Sequence, residues 1–344
     1  MSTWTIAKIL IMLVAVGLLW FLRDVMVMLF VALLLSALID PFADWFARHR
    51  IPRALAVILV YICLLALSAL AIVLLVPPLL TQMQQLITNF SSIVEGLIRT
   101  FNRLQAVTIQ YGFGENFQAG LQAIEAGVSN SVSGIFSTVT GFFGSLAALV
   151  IVFVLTFYMV VEEDSAKRLI KNLAPIEYQP FLGALFSKMQ KRIGYWLRGQ
   201  LVLGLVIGLA VYLGLLILGV PYALVLGLIA GLLEIIPYAG PLLSSVPILI
   251  IAFSVSPFKG FSALLLVVAI QQIENNILVP KIMQKATGLN PVVSIVAMLI
   301  GVKFGGEAGM FGGIVGALLA IPVATMASVM VEELFSGLSS EKIK

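Results

Sequence analysis

Two acidic residues lie in stretches of this 344-residue chain that otherwise carry few charges. Glu234 stands just before Pro237 in an apolar run, and Glu274 lies among side-chain amides. An ionisable side chain at the centre of a membrane helix costs at least about 2.5–3.5 kcal/mol, so it is a candidate for function. A carboxylate in such a place could bind a proton or Na⁺, or accept hydrogen bonds from a polar solute.

Helix-breaking residues follow the first acid. Two prolines and a glycine within the next seven residues exclude a straight helix. The apolar arms on either side are too short to span comfortably, since a span needs roughly 20 residues. Broken backbone at membrane depth is tolerated only where it is buried in protein or lines a cavity. We predict a re-entrant hairpin or a discontinuous helix. The candidate residues for a substrate or ion pathway in this segment are Glu234, Pro237, Tyr238, Gly240 and Pro241.

Amides surround the second acid, because five amide or carboxylate side chains fall within residues 271–276. On a helix, residues at i, i+3 and i+4 share one face. Each acid also has a simpler explanation. Glu274 could end a helix at the cytoplasmic surface, and Glu234 could accept hydrogen bonds from the free N–H groups of a broken helix. The candidate pathway residues of this cluster are Gln271, Gln272, Glu274, Asn275, Asn276 and Pro280.

Glycines recur every four residues in the last apolar part of the chain. Small residues at this spacing let two helices approach closely. Tight packing and a hinge or sliding surface both fit the pattern. The candidates for helix packing or hinging are Gly301, Gly305, Gly309, Gly313 and Pro322.

An internal similarity links the break to this glycine-rich region. Residues 227–237 can be laid over 312–322 with six of eleven positions identical. The second copy has Leu319 where the first has Glu234, so the helix itself does not require the acid. The similarity suggests two related helical units packed around a midplane site.

The composition places the chain in a bilayer. Hydrophobic residues make up 61% and charged residues 10%, against about 25% charged in soluble domains. Disorder, a disulfide scaffold and a nucleic-acid-binding domain are excluded. One Cys, one His and the absence of common catalytic motifs predict no metal site, no cofactor and no enzymatic activity, including intramembrane hydrolysis.

The uncharged runs predict an all-α, polytopic integral membrane protein, with a helical hairpin turning at Arg23-Asp24. Arginine and lysine cluster in 41–53 and 162–198, which makes these segments and both termini cytoplasmic. Residues 80–136 show two amphipathic helical stripes, which could pack on their own bundle or form a subunit interface or gate. The predicted organisation is transmembrane helices in 1–79, an extracytoplasmic amphipathic hairpin in 80–136, a transmembrane helix and basic cytoplasmic segment in 137–198, a transport region with broken helices in 199–335, and a cytoplasmic tail in 336–344.

Several motifs together resemble the autoinducer-2 exporter family, also called PerM-type permeases. The family's Ile-Pro-Tyr-x-Gly-Pro stretch matches 236–241, and its Gln-x-x-Glu-Asn segment matches 271–275 with Pro280 at its end. Pro291 and the glycine-rich helix also match. The family often has His before that proline, whereas this chain has Asn290, which does not ionise.

The resemblance implies about eight transmembrane helices in the inner membrane and a homo-oligomer, expected to be a pentamer. It also implies export of autoinducer-2, a small polar quorum-sensing signal. Our leading hypothesis is that the protein lies in the lipid bilayer and exports its solute by alternating access coupled to protons or Na⁺. Cation/proton antiport is the alternative within transport. A non-transporting oligomeric scaffold or a passive pore is the alternative outside it.

Overall fold

The structure, a computed structural model, describes residues 12, 17–18, 21–108, 146–162, 174–283, 289–306 and 309–341. Parts of all five predicted segments lie outside these residues. They are most of the first apolar run, residues 109–136 of the amphipathic hairpin, 137–145 and 163–173 of segment 137–198, 284–288 and 307–308 of the transport region, and 342–344 of the tail.

Regular structure in the described ranges is helical throughout. A 3₁₀ turn (Ile176–Tyr178) precedes α5, and a π-helical turn (Glu274–Leu278) joins α8 to α9. The helices are α1 (Arg23–Arg48), α2 (Arg53–Thr88), α3 (Phe90–Thr108), α4 (Leu146–Val161), α5 (Gln179–Ile217), α6 (Ala223–Leu233), α7 (Ala239–Val255), α8 (Pro257–Ile273), α9 (Val279–Met283), α10 (Pro291–Gly306) and α11 (Gly309–Glu341).

Helix length and composition confirm the all-α polytopic membrane fold. Within the described residues, five helical stretches are long and apolar enough to cross a membrane, and four shorter helices are also apolar. The long stretches are Val25–Arg48, Arg53–Leu86, Ile176–Ile217, Pro257–Met283 and Gly312–Glu333, and the shorter ones are Leu149–Val161, Ala223–Leu233, Ala239–Val255 and Val292–Gly306.

The predicted turn at Arg23-Asp24 is wrong. The Leu22 N–H donates to the Leu18 carbonyl and the Met26 N–H to the Leu22 carbonyl, both at 2.9 Å. These are helical i→i−4 bonds, so the backbone passes through the charged pair without reversing. Two adjacent charges do not break a helix as proline or glycine would.

One compact unit combines the described parts of 1–64 and 141–194. Its core includes Ile39, Val57 and Val160. The Tyr61 hydroxyl donates to the Phe153 carbonyl at 2.9 Å, which satisfies a polar group on an apolar helix.

The second unit combines the described parts of 65–140 and 195–344. In it, α3 packs on α7. A Cβ at Gly96 would overlap the Ser254 carbonyl, and Ile93 and Leu97 are buried. Within the described residues, this half of the amphipathic segment therefore packs on its own bundle.

The termini of α5 and α8 have recognisable caps. Gly219 adopts a φ of 63°, and the Val220 N–H reaches back to the Leu215 carbonyl at 2.9 Å, as in a Schellman motif. Ser256 caps α8 by accepting from the Lys259 N–H at 3.2 Å, with Pro257 next in the chain. These caps fix the ends of two helices that contribute to the candidate site.

Candidate functional site

The predicted break lies between α6 and α7. Helix α6 ends at Leu233, and α7 begins at Ala239 after a turn in which Tyr238 has a φ of 65°. Gly240 packs against the Leu233 carbonyl so closely that a Cβ would overlap it. Glycine is therefore required here by close approach, and the turn brings Glu234 to the open end of α6.

The second acid lies in an irregular turn of another helix. Glu274 begins the π-helical turn that follows α8, and its side chain is 6% exposed. Gln271 Nε2 donates to Glu274 Oε2 at 2.8 Å. Single π turns inside helices are rare and are frequently found at functional sites, because they rotate side chains out of the regular helical pattern.

The two acids meet. The carboxyl groups of Glu234 and Glu274 lie close enough to interact. An ionised carboxylate only accepts hydrogen bonds, so a hydrogen bond between the two groups would require a proton on one of them. Glu234 is 2% exposed, and its Oε2 has no hydrogen-bond partner within the described part of the chain. Binding of a proton, a cation or a hydroxyl donor would satisfy that acceptor.

Both acids line a cavity of about 650 Å³ within the second unit. This volume falls in the range of small-molecule sites, roughly 300–1,000 Å³. The described residues of the lining include acids, amides, hydroxyls and two aromatic rings, and none of them is Lys, Arg or His. The polar and aromatic residues of the lining are Trp196, Gln200, Glu234, Tyr238, Ser245, Gln271, Glu274, Asn275 and Ser294.

Most of the predicted pathway residues reach this cavity. The i, i+3, i+4 set of the amide cluster lies on one wall, and the broken segment forms another. The predicted residues in the lining are Glu234, Pro237, Tyr238, Pro241, Gln271, Glu274 and Asn275.

The other predicted residues of these two segments lie elsewhere. Gln272 and Asn276 are exposed, and Asn276 Nδ2 donates to the Gln272 carbonyl at 2.9 Å. Pro280 is also exposed and outside the lining. Gly240 is buried and shapes the turn.

The contribution of α5 to the cavity wall was not predicted from the sequence. Trp196 and Gln200 line the cavity and are 3% and 2% exposed. Gln200 Nε2 donates to the Glu234 carbonyl. The available signal was a single amide four residues after a tryptophan at the start of a long apolar run.

The predicted glycines lie along the α10–α11 contact. A Cβ at Gly301 would overlap the Gly316 carbonyl, and one at Gly305 would overlap the Gly312 carbonyl. Gly313 is less tightly placed, since its Cβ would stand 3.6 Å from the Val302 carbonyl oxygen. Gly309 begins α11, and that helix continues through a buried Pro322.

Two further observations bear on cofactors and on Asn290. Within the described residues, no group of three His, Cys, Asp or Glu side chains could hold a metal ion. Asn290 Oδ1 accepts from the Val292 N–H at 3.0 Å. It therefore acts as a cap at the start of α10.

Comparisons with known proteins agree with this architecture. The family model for AI-2E family transporters matches residues 9–336. YueF of Bacillus subtilis is 29% identical over 287 residues, which cover 80% of this chain and 75% of YueF. YrrI of the same organism is 26% identical over 314 residues, which cover 90% of this chain and 86% of YrrI.

A relative from another bacterium has similar coverage. YhhT of Escherichia coli K12 is 25% identical over 319 residues, which cover 91% of this chain and 86% of YhhT. All three relatives are named as candidate transport proteins, and no name gives a substrate.

Proposed function

Because the chain belongs to the AI-2E family of transporters, we propose that it is a secondary transporter that exports a small polar solute. The family resemblance makes autoinducer-2 the first candidate solute. The observation that carries the proposal is the cavity lined by both Glu234 and Glu274, two acids that come from two separate helix irregularities. Membership of a transporter family and the lack of a catalytic motif in the sequence both support the proposal that the chain is not an enzyme.

The lining matches a hydroxyl-rich solute better than an anion. Gln271 and Asn275 carry amides, which both donate and accept hydrogen bonds, and Ser294 adds a hydroxyl. The acids accept hydrogen bonds from solute hydroxyls. Trp196 offers an apolar wall for the carbon skeleton.

The proposed mechanism is alternating access. The turn at 234–238 and the π-helical turn at 274–278 interrupt regular helical bonding next to the cavity. Such irregular segments can change conformation at lower cost than an intact helix, and discontinuous helices are common at transporter sites. We propose that region 199–335 moves, that the N-terminal half is the scaffold, and that the two acids carry the coupling proton or Na⁺.

Cation/proton antiport is the second candidate. The observation that favours it is the buried Glu234 Oε2, which has no hydrogen-bond partner among the described residues. A carboxylate pair that exchanges a proton for Na⁺ needs no organic solute. Flux that requires only Na⁺ and a pH gradient would favour this candidate over solute export.

We further propose a homo-oligomer, a pentamer, in the inner membrane, with both termini in the cytoplasm. The stretch of α2 from Ile62 to Val76 is exposed on every face. An apolar helix exposed in this way is suited to contact lipid on one side and a neighbouring copy on another. Mass determination in detergent or nanodiscs tests the pentamer.

Reconstituted vesicles test the proposed transport function. Purified protein in liposomes loaded with autoinducer-2 should release it at a rate that saturates with concentration. Parallel vesicles with ²²Na⁺ and an imposed pH gradient test antiport. Flux that never saturates would indicate a passive pore, and no flux above that of empty liposomes would favour a non-transporting scaffold.

A further inference from the structure

The α5–α6 and α10–α11 pairs share one packing pattern. In the first pair, a Cβ at Gly204 would stand 2.6 Å from the Gly231 carbonyl oxygen, and one at Gly208 would stand 3.0 Å from that of Gly227. The first distance is too short for a Cβ atom, and the second would make a tight contact. The two helices therefore cross in antiparallel order through two glycine pairs.

The second pair repeats this pattern with equivalent glycines. Gly301 faces Gly316 and Gly305 faces Gly312, again in antiparallel order and again four residues apart on each helix. Gly312 and Gly316 are the residues that the sequence similarity aligns with Gly227 and Gly231. The structure thus supports two copies of one helix-hairpin unit.

The equivalent isoleucines of the two hairpins contact the opposite hairpin. Ile236 follows the first glycine pattern and packs with Met298 and Ala317 of the second hairpin. Ile321, its equivalent, packs with Trp196 of the first hairpin. This exchange of contacts is expected for two related units around a shared site, and both hairpins contribute to the cavity lining.

The hairpins differ at the cavity. Aligned on the glycines, Glu234 corresponds to Leu319, and Gln200 corresponds to Ala297. Helix α11 continues past this position, so the Leu319 carbonyl has the Val323 N–H as its i+4 donor, although Pro322 cannot donate to the Leu318 carbonyl. Helix α6 ends instead, and the acid and the amide occur together only in this broken copy.

The Gln200 side chain replaces a missing backbone donor. In an unbroken helix the Glu234 carbonyl would accept from the Tyr238 N–H, but α6 ends at Leu233 and the chain has left the helix before Tyr238. The carbonyl accepts from Gln200 Nε2 instead. Gly204 brings α5 close enough, since its Cβ would stand 3.8 Å from Glu234 Cβ.

We infer that Gln200 is a positioning residue, which holds the open end of α6 and thereby keeps the Glu234 carboxyl group at the cavity. Gln200 and Glu234 together distinguish the polar copy of a duplicated hairpin from its apolar counterpart. The role in transport rests on the proposed function, whereas the positioning of Glu234 does not.

Chemical labelling tests the positioning without a transport assay. A hydrophobic carbodiimide adds to protonated carboxyl groups in membranes, and mass spectrometry locates the product. Gln200→Ala introduces the residue of the apolar copy and should release the turn, so that Glu234 is labelled severalfold faster than in the wild type. The matched control Ala297→Ser, at the equivalent position of the other hairpin, should leave the labelling rate of Glu234 unchanged.

Transport measurements test whether Gln200 acts through Glu234. Gln200→Ala should lower the maximal rate about five- to tenfold, the loss expected for one buried neutral hydrogen bond. In a Glu234→Gln background the same change should have little further effect, since coupled residues are not additive. Two independent, multiplying losses would overturn the inference.

A second variant covers the case in which Gln200→Ala does not fold. Gln200→Glu keeps the shape of the side chain but can donate to the carbonyl only when protonated. Its transport and Glu234 labelling should approach wild-type values in acid and depart from them as the pH rises. Unchanged labelling of Glu234 in Gln200→Ala and Gln200→Glu at every pH would overturn the inference even if the wild type proves not to transport.

Discussion

Glu234 and Glu274 line the same cavity, with their carboxyl groups close enough to interact. Glu234 directly follows the last residue of α6, and Glu274 is the first residue of a π-helical turn. Each acid is thus presented by a local departure from regular helix. Since two ionised carboxylates would repel each other, the pair is suited to hold one positive charge that can be exchanged.

Trp196 offers a direct optical test of the cavity's charge selectivity. The chain has four tryptophans, so a variant with Phe at positions 4, 20 and 45 retains Trp196 alone. Its fluorescence should be quenched by neutral acrylamide far more than by iodide, because Trp196 is 3% exposed and the described lining contains two acids and no cationic side chain.

The corresponding variant that retains only Trp45 is the control. Trp45 is 57% exposed, so acrylamide and iodide should both quench it. Equal quenching of Trp196 by both agents would contradict an anion-excluding cavity.

Glycine substitution tests the close helix contact. Gly301→Ala should lower the free energy of unfolding by about 1–3 kcal/mol, the usual effect of overpacking, because its Cβ would overlap the Gly316 carbonyl. Thermal unfolding in detergent measures the change. Gly306→Ala is the matched control on the same helix, since nothing lies within 4 Å of its Cβ position, and it should unfold like the wild type.

The ion pairs at the start of α2 predict a second stability difference. Arg53 Nη2 lies 3.0 Å from Asp44 Oδ1 and 3.3 Å from Asp40 Oδ1, with its side chain 18% exposed. Arg53→Met should destabilise the protein by about 2 kcal/mol, because hydrogen bonds to charged groups are lost.

Arg99 provides the comparison for Arg53. It stands 3.9 Å from Glu95, and both side chains are about 70% exposed. Arg99→Met should therefore change the unfolding temperature little. Equal effects of the two substitutions would show that burial does not set the strength of these pairs.

Much of the site could be predicted because proline, glycine and charge are rare signals in apolar sequence. Pro237, Gly240 and Glu234 marked the break, and helical spacing placed Gln271, Glu274 and Asn275 on one face. The same spacing places Gln272 and Asn276 on another face of the helix. A count of amides in this segment could not distinguish these two residues from those that line the cavity.

The α5 wall could not be predicted from local sequence. Gln200 lies in a helix that continues regularly through the adjacent Gly199, and its partner is a carbonyl 34 residues away. Only the crossing at Gly204 brings the two together. The π-helical turn at Glu274 has no proline or glycine within it. Pro280 signals that the Asn276 carbonyl lacks its i+4 donor, but not that the turn is π-helical.

The most direct test of the central claim is transport by carboxyl-to-amide variants in reconstituted vesicles. Glu234→Gln and Glu274→Gln preserve side-chain shape but cannot exchange a proton, so both should abolish flux that depends on a Na⁺ or pH gradient. Glu177→Gln, at an exposed acid, should transport like the wild type. Gradient-dependent flux at the wild-type rate in assembled Glu234→Gln and Glu274→Gln proteins would contradict the account.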